Sequence, residues 1–328
     1  MKLSFTKNKK RILCIALILL CTTTLFSCGI QKKDDDEKIS VVTTNFAMYD
    51  FARAVCGDVC EVEMLISPGS EAHDFEAGLS DIAKIAESDI FLYVGGESEE
   101  WVEDIFAAVG DDMKGTAKLC AMDICPLLSE ETVEGMESDD KNEHADEDEH
   151  GDGAFDEHVW TSVPNAVRIM EKVRDTVISL DETLSDRVNE NFDKYAEKLS
   201  EIDRAGRECV KNASRDTIIV ADRFPFRYMA NEWGLKYYAA FSGCSSNVEP
   251  SLETVSFLIN KVENEDIPYV FTIEFSDGKT AKAVSAETGC GILELHSAHN
   301  VTKEDFSSGV TYADLMRRNL DALKDALN

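Results

Sequence analysis

The chain of 328 residues carries 64 acidic and 33 basic side chains, for a formal net charge of −31. That balance excludes nucleic acid as a partner, because binding to phosphate depends on lysine and arginine. It suits attraction of cations, although many exported proteins are acidic for solubility alone.

The first eleven residues contain Lys2, Lys7, Lys9, Lys10 and Arg11 and no acid, and they lead into the apolar run ILCIALILLC at 12–21. This is the pattern of a secretory signal, too short to span a bilayer as a mature helix. It closes on Leu25-Phe26-Ser27-Cys28, which resembles the lipobox of bacterial lipoproteins, with Phe at the second position as a departure. The resemblance implies a signal peptide over 1–27, acylation of Cys28, and a polar tether over 28–38 that holds the protein at the outer face of the cytoplasmic membrane. Acyl chains contribute about 0.8 kcal/mol per buried methylene to such anchoring. Ordinary cleavage and free secretion is the alternative. Removal of 1–27 takes away five positive charges and shifts the net charge from −31 to −36.

Seven cysteines lie beyond Cys28, at 56, 60, 120, 125, 209, 244 and 290. Disulfides are permitted outside the cytoplasm. Cys56 with Cys60 and Cys120 with Cys125 are near enough in sequence to pair, but spacing does not fix connectivity. No CxxC pair is present, which argues against a thiolate zinc site or a thioredoxin-like centre.

About 290 residues follow position 38, comfortable for two domains. In the first half the strand-like ISVVTTN is followed by the helical FARAV, then by the β-rich CEVEMLI ending at Ser67-Pro68-Gly69. The helix-like SDIAKIAE leads into the apolar DIFLYVGG, and AKLCAM is a further strand. Short β-runs alternating with helical periods indicate parallel βαβ units. The second half repeats the order: DTIIVAD, NEWGLKYYAAF, the helix ETVSFLINKVENED, PYVFTIEF, the helical SDGKTAKAVSAETG and GILELHS. Between the halves, Leu184, Val188, Phe192, Tyr195, Leu199 and Ile202 recur at spacings of three and four, one apolar face of a helix. A continuous helix over Ser185–Lys211 would span about 40 Å and act as a stiff connector. The fold class is therefore α/β: two similar parallel-sheet lobes joined by one long helix. The N-terminal lobe occupies 39–163, with an acidic, histidine-bearing loop at 137–157. The connecting helices fill 164–212, and the C-terminal lobe 213–328.

Chemistry-bearing residues gather where strands end. PGSEAHDFE holds His73, DEHVW holds His158, VADRFPFRY holds Asp222 and Arg223, and LELHSAHN holds His296 and His299. Open parallel sheets bind ligands beyond the carboxyl ends of their strands, so all four places can face one cleft. The run 139–160 places His144, His150 and His158, three of the six histidines, beside ten acids. A solvated linker explains the acids but gives no reason for the histidines.

These segments resemble the zinc- and manganese-type substrate-binding lipoproteins of ATP-binding-cassette importers. PGSEAHDFE is similar to that family's PGxxPHxYEP, DEHVW to its DPHVW, TIEFSDGKTAKAVSAETG to the segment reading EPQF, a helix and ETG, and GVTYADLMRRNLDALKDAL to its closing helix. The resemblance implies one metal held between two lobes, with His73 and His158 as the ligands of the N-terminal lobe. The C-terminal lobe departs from the family. Arg223 stands where many members read histidine, and an arginine cannot ligate a cation; Asp222 is the nearest substitute. His296 stands where many read aspartate, and His299 replaces or joins it. Glu274 is a ligand or a partner behind one, and Arg223 forms ion pairs with nearby acids or marks an anionic ligand.

Neutral imidazoles with a carboxylate suit zinc, whereas manganese prefers more oxygen. The resemblance thus implies capture of zinc as cargo, with manganese as the alternative, and delivery by a monomer to a membrane permease and its ATPase. The loop bearing His144 and His150 then raises the local metal concentration. A secreted zinc metalloenzyme is disfavoured because no HExxH or GxSxG segment is present. A surface adhesin remains a third reading.

Overall fold

The computed structural model describes residues 38–71, 75–113, 115–137, 154–243, 245 and 249–328. The signal region with Cys28, the triplet around His73, and His144 and His150 lie outside the described residues.

Two four-stranded sheets form the frame. In the first, β1 (Ile39–Thr43), β2 (Cys60–Met64), β3 (Ile90–Tyr93) and β4 (Ala117–Cys120) pair in parallel in the order β2-β1-β3-β4. In the second, β5 (Thr217–Phe224), β6 (Lys236–Ser242), β7 (Tyr269–Ile273) and β8 (Gly291–Leu295) pair in parallel as β6-β5-β7-β8. The orders match strand for strand, so β1 corresponds to β5, β2 to β6, β3 to β7 and β4 to β8. Parallel strands are buried on both faces and read as continuous apolar runs; β3, IFLY, is buried at all four positions.

Helices make the crossovers. In the N-terminal lobe these are α1 (Phe46–Cys56), α2 (Leu79–Glu87) and α3 (Trp101–Val109). The helix α1 starts where Asn45 accepts a hydrogen bond from the Met48 amide at 3.0 Å and ends at Gly57, whose φ is 58°. Two helices then leave the lobe, α4 (Val163–Leu180) and α5 (Ser185–Asn212). The C-terminal lobe adds α6 (Arg227–Trp233), α7 (Leu252–Asn264), α8 (Lys279–Thr288), α9 (Lys303–Ser308) and the closing α10 (Tyr312–Leu327).

The predicted connector is α5, one residue longer than its sequence pattern indicated. Val188, Phe192, Tyr195, Leu199, Ile202, Gly206 and Val210 form its buried stripe. Each large apolar side chain on that stripe contributes about 1.5–3 kcal/mol by leaving water. Gly206 lets the helix lie on Trp233: a Cβ there would stand 2.4 Å from the indole ring. The stripe packs on α1, α4, α6 and α10, so the connector touches both lobes.

One knot ties these elements. The Asp50 carboxylate of α1 accepts hydrogen bonds from Arg53, from the Tyr195 hydroxyl of α5, and from the Tyr312 amide of α10 at 2.8 Å. Burial pushes the Asp50 pKa up, against the pull of Arg53 and the two tyrosine donors. Cys120, Cys125, Cys209 and Cys290 are free thiols, and a hydrogen bond with Cys60, together with burial, pushes the Cys56 pKa up.

Candidate metal centre

The segment after β4 runs out as far as Glu137 and returns at Ala154. Its two arms are clamped by an antiparallel bridge between Ser129 and Phe155 and by a hydrogen bond from the Asp156 amide to the Leu128 carbonyl, 3.0 Å. The outgoing arm lies on the C-terminal lobe, where the Glu137 amide donates to the Ala240 carbonyl at 3.0 Å. The returning arm delivers His158 to the start of a 3-10 turn, fully buried. Asp156 receives the His158 amide at 2.8 Å and stands 3.2 Å from its Nδ1. This is how metal-binding imidazoles are commonly fixed, with a carboxylate behind one nitrogen so that the other faces the ion. Burial pulls the His158 pKa down, but the charge and hydrogen bond of Asp156, with the charge of Glu157, outweigh it and raise the pKa above its ordinary value.

The C-terminal lobe meets this ring with His299. The two imidazoles lie 5.9 Å apart between centroids and nearly perpendicular, and each is tilted 51° to the Trp160 ring, with centroids 5.2 and 5.1 Å away. Trp160 donates its indole N–H to the Ser297 carbonyl at 2.8 Å, which fixes the turn carrying His299. Both histidines, with Glu71, Arg223, Glu274 and Ser297, line one cavity between the lobes. Glu274 is buried and accepts hydrogen bonds from the Ser297 amide at 2.8 Å and from the Ser297 hydroxyl.

His296 and Asp222 are placed differently from His299. The His296 Nδ1 accepts the Ala298 amide at 3.0 Å, while its own amide and carbonyl bind the Asn319 side chain at 2.7 and 2.8 Å. It holds the turn rather than lining the cavity, although its Nδ1 lies 3.6 Å from Glu274. Asp222 accepts from Thr272 at 3.2 Å and from Ser276, within the C-terminal lobe. The cause is a bulge: Val220 pairs with Ala239 and Arg223 with Phe241, three residues against two. Bulges re-aim side chains next to functional sites, and this one leaves Arg223, not Asp222, at the cavity, 3.4 Å from Glu71 of the other lobe.

Two strained residues shape the same turns. Phe275, directly after Glu274, has φ 60°, and Ala298, directly before His299, has φ 61°. Left-handed backbone costs a non-glycine residue on the order of 1 kcal/mol and persists where neighbours over-determine it. Those neighbours are visible across the lobes. The Phe46 amide donates to the His299 carbonyl at 3.0 Å, the Gly69 amide to the Val301 carbonyl at 2.8 Å, and the Asn300 side chain to the Ser67 and Ser70 carbonyls at 2.9 and 2.8 Å. The loop leading to His73 is thus stitched to the turn that carries His299. Among the described residues alone, no three His, Cys, Asp or Glu side chains are grouped closely enough to hold an ion.

Residues 41–326 match the family described as "Zinc-uptake complex component A periplasmic". The chain belongs to that family. It is 32% identical over 312 residues to the zinc-binding lipoprotein AdcA of Streptococcus pneumoniae, covering 94% of this chain and 60% of that protein. It is 28% identical over 314 residues to the high-affinity zinc uptake system protein ZnuA of Bacillus subtilis, covering 96% and 95%. The crystal structure of the Zn(II)-bound ZnuA-like domain of S. pneumoniae AdcA superimposes with a TM-score of 0.71 at 28% identity, covering 88% of this chain and 99% of that domain. The chain spans about 60% of the length of the AdcA protein and nearly the whole of ZnuA. Family membership agrees with the resemblance carried by the PGSEAHDFE and DEHVW segments, and the likeness to the AdcA domain agrees with the two-lobe α/β class.

Proposed function

We propose that this chain captures zinc outside the cytoplasmic membrane and delivers it to an ATP-binding-cassette permease and its ATPase. The observation that carries the reading is the meeting of His158 and His299 from opposite lobes beside Glu274, in a chain of the zinc-uptake family. We assign the ligands as His73, His158 and His299, with Glu274 supplying the carboxylate. His296 and Asp222 then hold the loops that present them. Three imidazoles and one carboxylate make a closed set suited to zinc. A set of four protein ligands leaves no open position and favours binding over catalysis, so the chain is read as a carrier and not as an enzyme. It acts as a monomer tethered through acylated Cys28, and His144 and His150 collect metal near the cleft.

The stitches between the lobes and the stiff α5 favour small loop movements over wide hinge opening when metal enters. A ligand shifts conformation only through contacts that differ between states, and ligands drawn from both lobes supply that difference.

The test uses the soluble form beginning at Gly29, stripped of metal and titrated with zinc and manganese against a competing chelator. One tight zinc site and weak manganese binding support the reading. Equal or preferential manganese binding moves the cargo to manganese, and no tight site for either metal removes the ligand assignment. Deleting 138–153 should slow zinc uptake by cells while leaving equilibrium affinity nearly unchanged; an unchanged uptake rate would count against metal collection by the loop.

A further inference from the structure

Leu79 and Leu252 are 88% and 87% exposed, while the next large apolar side chain among the described residues, Leu180, is 45% exposed. One exposed leucine needs no explanation. These two occupy the same place in each lobe. Leu79 is the first residue of α2, the helix after β2, and Leu252 is the first residue of α7, the helix after β6; β2 and β6 are the corresponding strands of the two sheets. The local sequences repeat as well: Glu76-Ala-Gly-Leu79 and Glu249-Pro-Ser-Leu252.

Helix formation gives no reason for leucine there. The caps are Gly78 and Ser251, one residue earlier. A hydrophobic staple uses the residue before the cap and the fourth residue of the helix, not the first. What the two leucines share is location. A helix that follows a parallel strand begins at the carboxyl end of that strand, the end where the ligand cleft lies, and Glu71, between β2 and Leu79, lines the cavity itself. A partner resting on both leucines would sit at the mouth through which cargo leaves.

We propose that Leu79 and Leu252 are paired apolar footings for a membrane permease with two equivalent halves, each offering an apolar socket rimmed by basic residues. The proposal rests on the reading of the chain as a carrier that delivers to a permease. Charge selects this occupant. Glu76 and Glu249 are exposed three residues before each leucine, on a chain of net charge −31. Anionic lipid surfaces repel such a rim, and a second copy would set acid against acid.

The experiment replaces the chromosomal gene with Leu79→Gln, Leu252→Gln and the double variant, and follows zinc-65 uptake in zinc-poor medium. The purified soluble forms are compared by zinc titration, thermal melting and sedimentation. We expect initial uptake to fall about tenfold in each single variant, as for loss of an interface anchor, and to the level of the gene deletion in the double variant. Zinc affinity and melting temperature should be unchanged. Wild-type uptake by the double variant would overturn the proposal, as would a wild-type dimer that the substitutions dissolve, since the surface would then be a self-interface. Failure of the underlying reading is distinguishable: the purified wild-type protein would not bind zinc, or deletion of the gene would leave uptake unaltered, and the permease as occupant would fall with it.

Discussion

His158 and His299 reach the same cavity from corresponding ends of the two sheets, yet they are held differently. His158 arrives after a long excursion from β4, fully buried, with the Asp156 carboxylate 3.2 Å behind its Nδ1. His299 arrives four residues after β8 and is held by backbone: its carbonyl accepts from Phe46 and its amide donates to the Ser297 hydroxyl at 3.2 Å, next to the left-handed Ala298. A carboxylate behind an imidazole fixes its tautomer and raises its basicity. Charge therefore fixes the ring of His158 in the N-terminal half, while the shape of a turn places the backbone of His299 in the C-terminal half. The first should tolerate little change; the second should yield to loop substitutions.

The largest effect should come from the half set by charge. His158→Ala should weaken zinc binding about a thousandfold, roughly 4 kcal/mol, in a chelator competition titration. Asp156→Asn keeps the shape and removes the charge, and should cost 10–100-fold, as other outer partners of metal ligands do. An Asp156→Asn protein with wild-type affinity would break the comparison, because the two histidines would then depend equally on geometry.

A second pair of acids, one after each of the corresponding strands β3 and β7, sharpens it. After β7 stands Glu274, which faces the cavity; after β3 stands Glu99, buried and accepting the Val94 and Gly95 amides at 2.7 and 2.9 Å. Burial raises the Glu99 pKa to about 7, against the pull of its hydrogen-bond donors. Between about pH 4.5 and 7 the folded state then holds a proton that the unfolded state has lost, so this group's contribution to stability declines as pH rises through that window. The full difference is on the order of 3 kcal/mol. Glu99→Gln should remove the decline, so that in urea unfolding its stability relative to wild type increases from pH 5 to pH 8. A constant difference across that range would mean that Glu99 stays charged throughout.

Much of this was legible in the sequence, and the exceptions have physical causes. Parallel strands and the α5 stripe announce themselves because burial imposes a period. Helix α3 escaped because its acidic approach, Glu97 to Glu100, hides a short apolar face. Which of His296 and His299 lines the cavity escaped because it turns on the φ of Ala298, an alanine that nothing in the sequence marks as left-handed. The bulge that exchanges Asp222 for Arg223 leaves no periodic trace either. That His158 lines the cavity was readable because its motif and its strand-end position agreed.

The turn around Ala298 supplies the next test. His299→Ala should weaken zinc binding about 10–100-fold at nearly constant melting temperature, comparable with loss of an outer partner or more. His296→Ala should do the reverse: it removes the acceptor of the Ala298 amide and costs about 1–3 kcal/mol of stability through an unsatisfied buried donor, with affinity changed less than for His299→Ala. If His296→Ala proves the more damaging to affinity, the two roles are exchanged and the turn is remade when metal binds.

The smallest expected effect concerns Arg223, and it asks whether the C-terminal half of the centre is short of a ligand by design. A guanidinium is always charged and cannot ligate, yet this one lines the cavity and meets Glu71 across the lobes at 3.4 Å. Partly exposed ion pairs contribute no more than about 1 kcal/mol, so losing the pair costs little, while a fixed cation opposes an incoming dication at every separation. Arg223→Gln should therefore tighten zinc binding by up to about tenfold, or 1.4 kcal/mol, by lifting that repulsion. Arg223→His should tighten it further if the bulge lets an imidazole reach the ion. Equal gains in both variants would assign the effect to charge alone. Weaker binding in both would mean that Arg223, through Glu71, positions the loop of His73, and the C-terminal lobe would then contribute to the centre by holding its opposite half in place.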